Sequence, residues 1–276
     1  MNILINFNGK LISPDTPVAT LANRSLRYGD GIFETMYWDG QCIRNETFHL
    51  DRLFHGFSVL KFDLSGGFTR KFISGEILRL CQNNAKGTKA RIRLNVYRED
   101  GSILMPKKNQ PVFIIESANI PERDPTPLSL SVYCREKKSN GELCNLKTNN
   151  YLLNILAIQF AKENNCDDAI ILNSEGNICE ASSSNLFMVQ KGIIYTPFLS
   201  EACVAGTKRR ELLGLLPTLG FQVEEASISV NMLYEMEEVF LTNAIHFIRP
   251  VKNIDDKYYS MELTNILFRL LYTDKE

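Results

Sequence analysis

Apolar positions recur at two different periods along this chain, and the switches between them mark out its elements. Over residues 47–62, Phe48, Leu50, Leu53, Phe54 and Phe57 fall at helical spacing, and residues 68–82 repeat the pattern, so two amphipathic helices are predicted. Residues 2–7, 32–38, 89–97 and 111–117 read instead as strands, with Asn8-Gly9 and Asp39-Gly40 as hairpin turns. Later strands are predicted at 128–134, 169–172, 186–189, 193–195, 222–225 and 238–241. Helices are expected at 148–163, 209–219, 230–236 and from 260 onward. The apolar run at 169–172, the turn Asn173 to Asn177 and a second run from Ile178 form a hairpin. Its returning strand delivers Glu180 and then the small polar patch Ala181 to Asn185. A carboxylate and three serines between two buried strands are costly unless something polar fills the space.

Residues 119–127, Asn-Ile-Pro-Glu-Arg-Asp-Pro-Thr-Pro, hold three prolines and three charges, which suits a stiff exposed connector. The expected organisation is a smaller N-terminal α+β domain over 1–119, a linker over 120–127 and a larger C-terminal α+β domain over 128–276. No internal period is present.

Composition narrows the function classes. The 276 residues are 44% hydrophobic and 23% charged, ordinary for a globular chain, and 31 Lys plus Arg balance 32 Asp plus Glu. A net charge of -1 removes any whole-molecule argument for nucleic acid or an anionic membrane. Seven scattered cysteines without a C-x-x-C pair read as reduced thiols. The N-terminus lacks a basic signal-peptide start, and no apolar run approaches the roughly 20 residues that span a bilayer. A cytoplasmic protein is expected. G-x-G-x-x-G, the phosphate-loop motif and G-x-S-x-G are all missing, and His49, His55 and His246 follow no metal-ligand spacing, so no metal is expected.

Five stretches carry a more specific signal. Arg27-Tyr28-Gly29-Asp30-Gly31-Ile32-Phe33-Glu34-Thr35, His49-x-x-Arg52-Leu53, Lys147-x-x-Asn150-Tyr151, Glu175-Gly176-x-Ile178-x-Glu180 with Asn185-Leu186-Phe187, and Glu238 to Ala244 occur in this order. Together they resemble the class IV aminotransferases, the pyridoxal phosphate (PLP) enzymes of fold type IV. This group includes branched-chain and D-amino-acid aminotransferases and 4-amino-4-deoxychorismate lyase. The resemblance implies a two-domain, D-amino-acid-aminotransferase-like α+β fold with the cofactor in an interdomain crevice, and a homodimer. It makes Lys147 the catalytic residue that attaches PLP covalently and moves the substrate proton. Glu180 then faces the ring nitrogen, and Arg52 grips the phosphate with Gly206, Thr207, Lys208, Thr242, Asn243 and Ala244. Tyr151 and Asn185 complete the cofactor set.

For the substrate carboxylate the candidates are Arg98, Arg93, Tyr28 and Lys208. Lys147 is expected just before a helix, whose N-terminal dipole disfavours its charged form. Transamination between an amino acid, possibly branched-chain, and a 2-oxo acid is the leading expectation. Pyruvate elimination from aminodeoxychorismate and a non-catalytic PLP-binding homologue are the alternatives. Asn243-Ala244 leans toward the lyase branch and Glu34 toward the aminotransferases.

Overall fold

A computed structural model describes residues 3–101, 104–106, 108–120 and 126–272. The chain forms two compact units, Met1–Glu122 with Leu146–Asn150, and Arg123–Asn145 with Tyr151–Glu276. Of the proline-rich connector, residues 121–125 lie outside the described residues.

The first unit is built on an antiparallel sheet of five strands, β1 (Ile5–Phe7), β2 (Lys10–Ile12), β3 (Gly31–Trp38), β4 (Ala90–Arg98) and β5 (Pro111–Asn119), in the order β2-β1-β5-β4-β3. Three helices accompany it: α1 (Arg24–Tyr28), α2 (Glu46–Val59) and α3 (Arg70–Asn84). Strand alternation puts Ile92, Leu94 and Val96 of β4 in the core with Ile73, Ile77 and Leu80 of α3 and Phe57 of α2. Burying each such side chain contributes about 1.5 to 3 kcal/mol. Thr69 caps α3, its hydroxyl accepting from the Phe72 amide at 3.1 Å. β3 is buried almost throughout, and Glu34 is buried within it.

The second unit's sheet runs β11-β10-β9-β12-β13-β6-β7-β8, with β14 on β13. Its strands are β6 (Leu128–Lys138), β7 (Asp168–Asn173), β8 (Ile178–Ala181), β9 (Asn185–Gln190), β10 (Ile193–Pro197), β11 (Gln222–Ala226), β12 (Glu238–Asn243), β13 (Phe247–Ile254) and β14 (Lys257–Tyr258). The helices are α4 (Leu152–Glu163), α5 (Thr207–Leu215), α6 (Val230–Glu235) and α7 (Glu262–Tyr272). Phe187 of β9 and Phe240 of β12 stack with centroids 5.2 Å apart, pinning a register that sets Thr242 opposite Asn185. Among the described residues no helix is long and apolar enough to cross a membrane.

Three sequence expectations are corrected here. The helix predicted over 148–163 begins only at Leu152, because residues 147–149 pair with β3. The Phe33 amide donates to the Lys147 carbonyl, and the Asn149 amide to the Gly31 carbonyl, each at 2.9 Å. That pairing also places Leu146–Asn150 with the first unit rather than in one unbroken C-terminal domain. Gly31 is needed there, since a Cβ would stand 2.5 Å from the Asn149 side-chain nitrogen. Finally, the strand predicted to end at 134 continues to Lys138 across an irregular register, which its run of exposed polar residues disguised.

Candidate active site

In the first unit, the expected residues Lys147 and Arg52 line one small recess with Phe33, Glu34 and Leu53. α2 presents His49 and Arg52 one turn apart, and both meet Glu34 of β3. Arg52 Nε donates to Glu34 Oε1 at 2.8 Å, and its Nη2 donates to Oε2 at 2.5 Å. His49 Nδ1 stands 2.6 Å from Oε2. Burial pushes the Glu34 carboxyl up, but the Arg52 charge and the hydrogen bonds from His49 and Arg52 outweigh it and hold the group down at about 2. Burial also lowers the His49 pKa, against the pull of Glu34. The ring is therefore neutral and donates through Nδ1. The result is a rigid, nearly neutral cluster that fixes the Arg52 guanidinium at the recess.

The Lys147 amine lies over the Phe33 ring at 4.6 Å, and the Arg93 guanidinium lies over the same ring at 4.0 Å. Arg93 also pairs with Glu116 at 3.7 Å. Arg98 is used differently. It donates to the Leu60 carbonyl, pairs with Asp30 and covers the Phe62 ring, with its side chain 11% exposed. Arg98 thus ties three segments of the first unit together. Tyr28, at the end of α1, is exposed beneath Arg24.

In the second unit, Glu180 is buried on β8 with both oxygens engaged. Lys138 Nζ donates to Oε1 at 2.6 Å and the Val204 amide to Oε2 at 2.8 Å. Lys138 escaped the sequence reading. Burial lowers its pKa, but the Glu180 charge and hydrogen bond, together with smaller contributions from Cys179 and Tyr151, outweigh this, so the net shift is upward and the ammonium is kept. Tyr151, immediately before α4, adds to the same shift, which places it within electrostatic reach of Lys138. Burial pushes the neighbouring Cys203 thiol up to about 12, so it stays protonated.

Three of the expected phosphate residues form a cup with Asn185. Gly206 caps α5 at its N-terminus, Thr207 is its buried first residue, and Asn185 and Thr242 are register partners on β9 and β12. The Asn185 side chain donates to the Val204 carbonyl at 2.9 Å, and a Cβ on Gly206 would fall 1.8 Å from Asn185 Oδ1. Thr242 Oγ1 is buried and lacks a partner among the described residues. A buried hydroxyl in that state is costly without an acceptor or donor. A helix N-terminus of nine residues, a glycine cradle and a waiting hydroxyl fit an anion such as a phosphate.

Two expected members sit elsewhere. Lys208 pairs with Glu211 and lies over the Phe247 ring at 4.6 Å, buried away from the cup, because its place in the first turn of α5 points it at its own helix and at β13. Asn243 builds the turn into β13, accepting from the Ile245 and His246 amides at 3.0 and 2.8 Å and donating to Ser184 Oγ at 3.0 Å. Ala244 follows in that turn, half-buried.

The family profile of the class IV aminotransferases matches residues 31–254. The chain is a class IV aminotransferase. Members of this family are PLP-dependent transaminases. A putative branched-chain-amino-acid aminotransferase of Methanocaldococcus jannaschii is 28% identical, over 92% of this chain and 88% of that protein. The branched-chain aminotransferase of Escherichia coli superposes with a TM-score of 0.89 at 22% identity, covering 98% of this aminotransferase and 93% of that chain. A putative 4-amino-4-deoxychorismate lyase from Legionella pneumophila superposes at 0.85 and 23% identity, covering 95% and 97%. At those identities the two structures establish fold type IV for this aminotransferase.

Proposed function

We propose that this aminotransferase moves an amino group between a branched-chain amino acid and a 2-oxo acid, with Lys147 as its catalytic residue. The buried, unpartnered hydroxyl of Thr242, whose register partner Asn185 packs against Gly206, carries the cofactor assignment, since a PLP phosphate would satisfy it. Gly206, Thr207, Thr242 and Asn185 would hold that phosphate, and the family motif assigns its cation to Arg52, which Glu34 fixes. When bound, PLP supplies an electron sink for the carbanion left at the substrate Cα. The Lys147 amine takes the Cα proton and returns it on the cofactor side. Glu180, braced by Lys138 and the Val204 amide, holds the proton on the ring nitrogen. Arg93, half-exposed over the Phe33 ring, receives the substrate carboxylate.

The branched-chain choice is supported by the name of the Methanocaldococcus jannaschii relative. Pyruvate elimination is the second reading, favoured by the Asn243-centred turn with Ala244. A homodimer is proposed because α4 exposes Leu152, Ile155 and Leu156 at i, i+3 and i+4, an apolar stripe suited to a second copy. Seven free cysteines support a cytoplasmic location.

The test is reduction of the holoprotein, which absorbs at about 410–430 nm, with borohydride, followed by peptide mapping. A pyridoxyl label on Lys147 is expected, and a label on another lysine overturns the assignment. A substrate panel then separates the two reactions. Amino-group transfer from leucine, isoleucine or valine to 2-oxoglutarate supports the first reading. p-Aminobenzoate from aminodeoxychorismate without any transfer supports the second. Light scattering at micromolar concentration tests the dimer, and an active monomer removes it.

A further inference from the structure

The second unit holds a cavity of about 150 Å³ that none of these roles uses. Its walls come from the starts of β6 and β7, the corner between β8 and β9, the turn between β12 and β13 with the start of β13, and α4. Successive residues of a strand face opposite sides of the sheet. On β12, Leu241 and Asn243 line this cavity, while Thr242 between them belongs to the cup. The cavity and the phosphate cup therefore lie on opposite faces of the same strand.

Its chemistry is two-signed. Asp168 is 6% exposed, and its Oδ1 accepts from the Ala169 amide at 2.7 Å and the Ser182 amide at 3.1 Å. Burial raises its pKa, against these donors and the Arg249 charge. Asp167, Arg249 and His246 line the cavity too, with Ser183 and Ser184. Arg249 is held by its Nη2 donating to the Thr126 carbonyl at 3.1 Å. Leu128, Ile158 and Leu241 supply apolar wall. A lone anion would meet Asp168, and a lone cation would meet Arg249. A molecule carrying both charges satisfies the two together, and the space, about five waters' share, suits a compact one.

We propose that this cavity is a binding site for a free α-amino acid, its ammonium toward Asp168 and its carboxylate toward Arg249 and His246. This inference stands apart from the cofactor reading, since it uses none of the residues assigned there.

Equilibrium dialysis of the holoenzyme with labelled 2-aminoisobutyrate, which has no Cα hydrogen to lose, tests it. Wild type is expected to bind one equivalent per chain more than Arg249→Gln. Should Arg249→Gln fail to fold, Ser183→Phe fills the cavity from an exposed position and serves the same purpose. Isobutyrate and isopropylamine, each carrying one of the two charges, are expected to compete at least about tenfold less well for that extra equivalent. Equal stoichiometry in wild type and Ser183→Phe, or equal competition by either single-charge analogue, overturns the site.

Discussion

The Lys138 ammonium stands 2.6 Å from Glu180 Oε1, a buried ion pair in which the lysine side chain is 17% exposed and the carboxylate side chain 4%. Removing one partner of such a pair strands the other charge, which costs several kcal/mol. Lys138→Met is therefore expected to lose about 3 kcal/mol of unfolding free energy. The Lys138 pKa is raised in the folded state, so its contribution is complete below the ordinary lysine range and fades only as pH rises beyond it. Urea unfolding of both proteins from pH 6 to 9 should give a constant difference. A difference that changes across that window contradicts the assignment.

Glu34 supplies the opposite slope. Its carboxyl sits at about 2 in the folded protein against an ordinary 4.5, so its stabilisation is present above 4.5 and is lost as pH falls toward 2. Acid titration of stability should show that loss in wild type, on the order of 3 kcal/mol, and a flatter curve in Glu34→Gln. His49, whose pKa burial lowers, adds a loss beginning below the ordinary histidine value of 6.5, where the unfolded chain takes up the proton first. His49→Gln should remove this upper part.

Gly206 and Asn185 should behave as a coupled pair. Gly206→Ala drives a Cβ to 1.8 Å from Asn185 Oδ1, so the cup must open. We expect a stability loss of about 2 kcal/mol or more and poor retention of PLP through gel filtration. Asn185→Ala combined with Gly206→Ala should recover part of the stability, a non-additivity read by a double-mutant cycle. Strict additivity would show that the two side chains do not meet.

Thr242→Val separates folding from binding. Its hydroxyl lacks a protein partner among the described residues, so removing it should leave the apoprotein as stable as wild type or slightly more so. The stabilisation gained on adding PLP should shrink, consistent with about tenfold weaker binding. Thermal unfolding with and without PLP reads both, and an unchanged PLP effect would remove Thr242 from the cup.

Most strands and the two long helices of the first unit were legible because strand alternation and helical spacing leave direct marks in the order of residues. The roles expected of Lys147, Arg52 and Glu180 rest on something else, since each sits in a short motif with fixed neighbours. What escaped depends on distant residues. Glu34 and Arg52 are 18 apart in sequence, so their pairing has no local mark. Lys138 looked like one more charge in the run Arg135 to Lys138, and only the extension of β6 brings it to Glu180. Arg98 and Lys208 were plausible anion binders by type, and nearby carboxylates, Asp30 and Glu211, had already claimed them. The start of α4 was misplaced because residues 147–149 give their backbone to β3, a tertiary contact that overrides local helix preference.

The excursion of Leu146–Asn150 makes the first unit impossible to excise as a continuous piece. A fragment ending at residue 122 would keep all five strands of the sheet and lose the segment that satisfies the Phe33 amide and the Gly31 carbonyl. It would also lose the lysine. Exchange of whole N-terminal halves between relatives therefore transplants a sheet without its own 146–150 segment and leaves Lys147 behind. A workable chimera has to carry the five-residue excursion along with the half it serves.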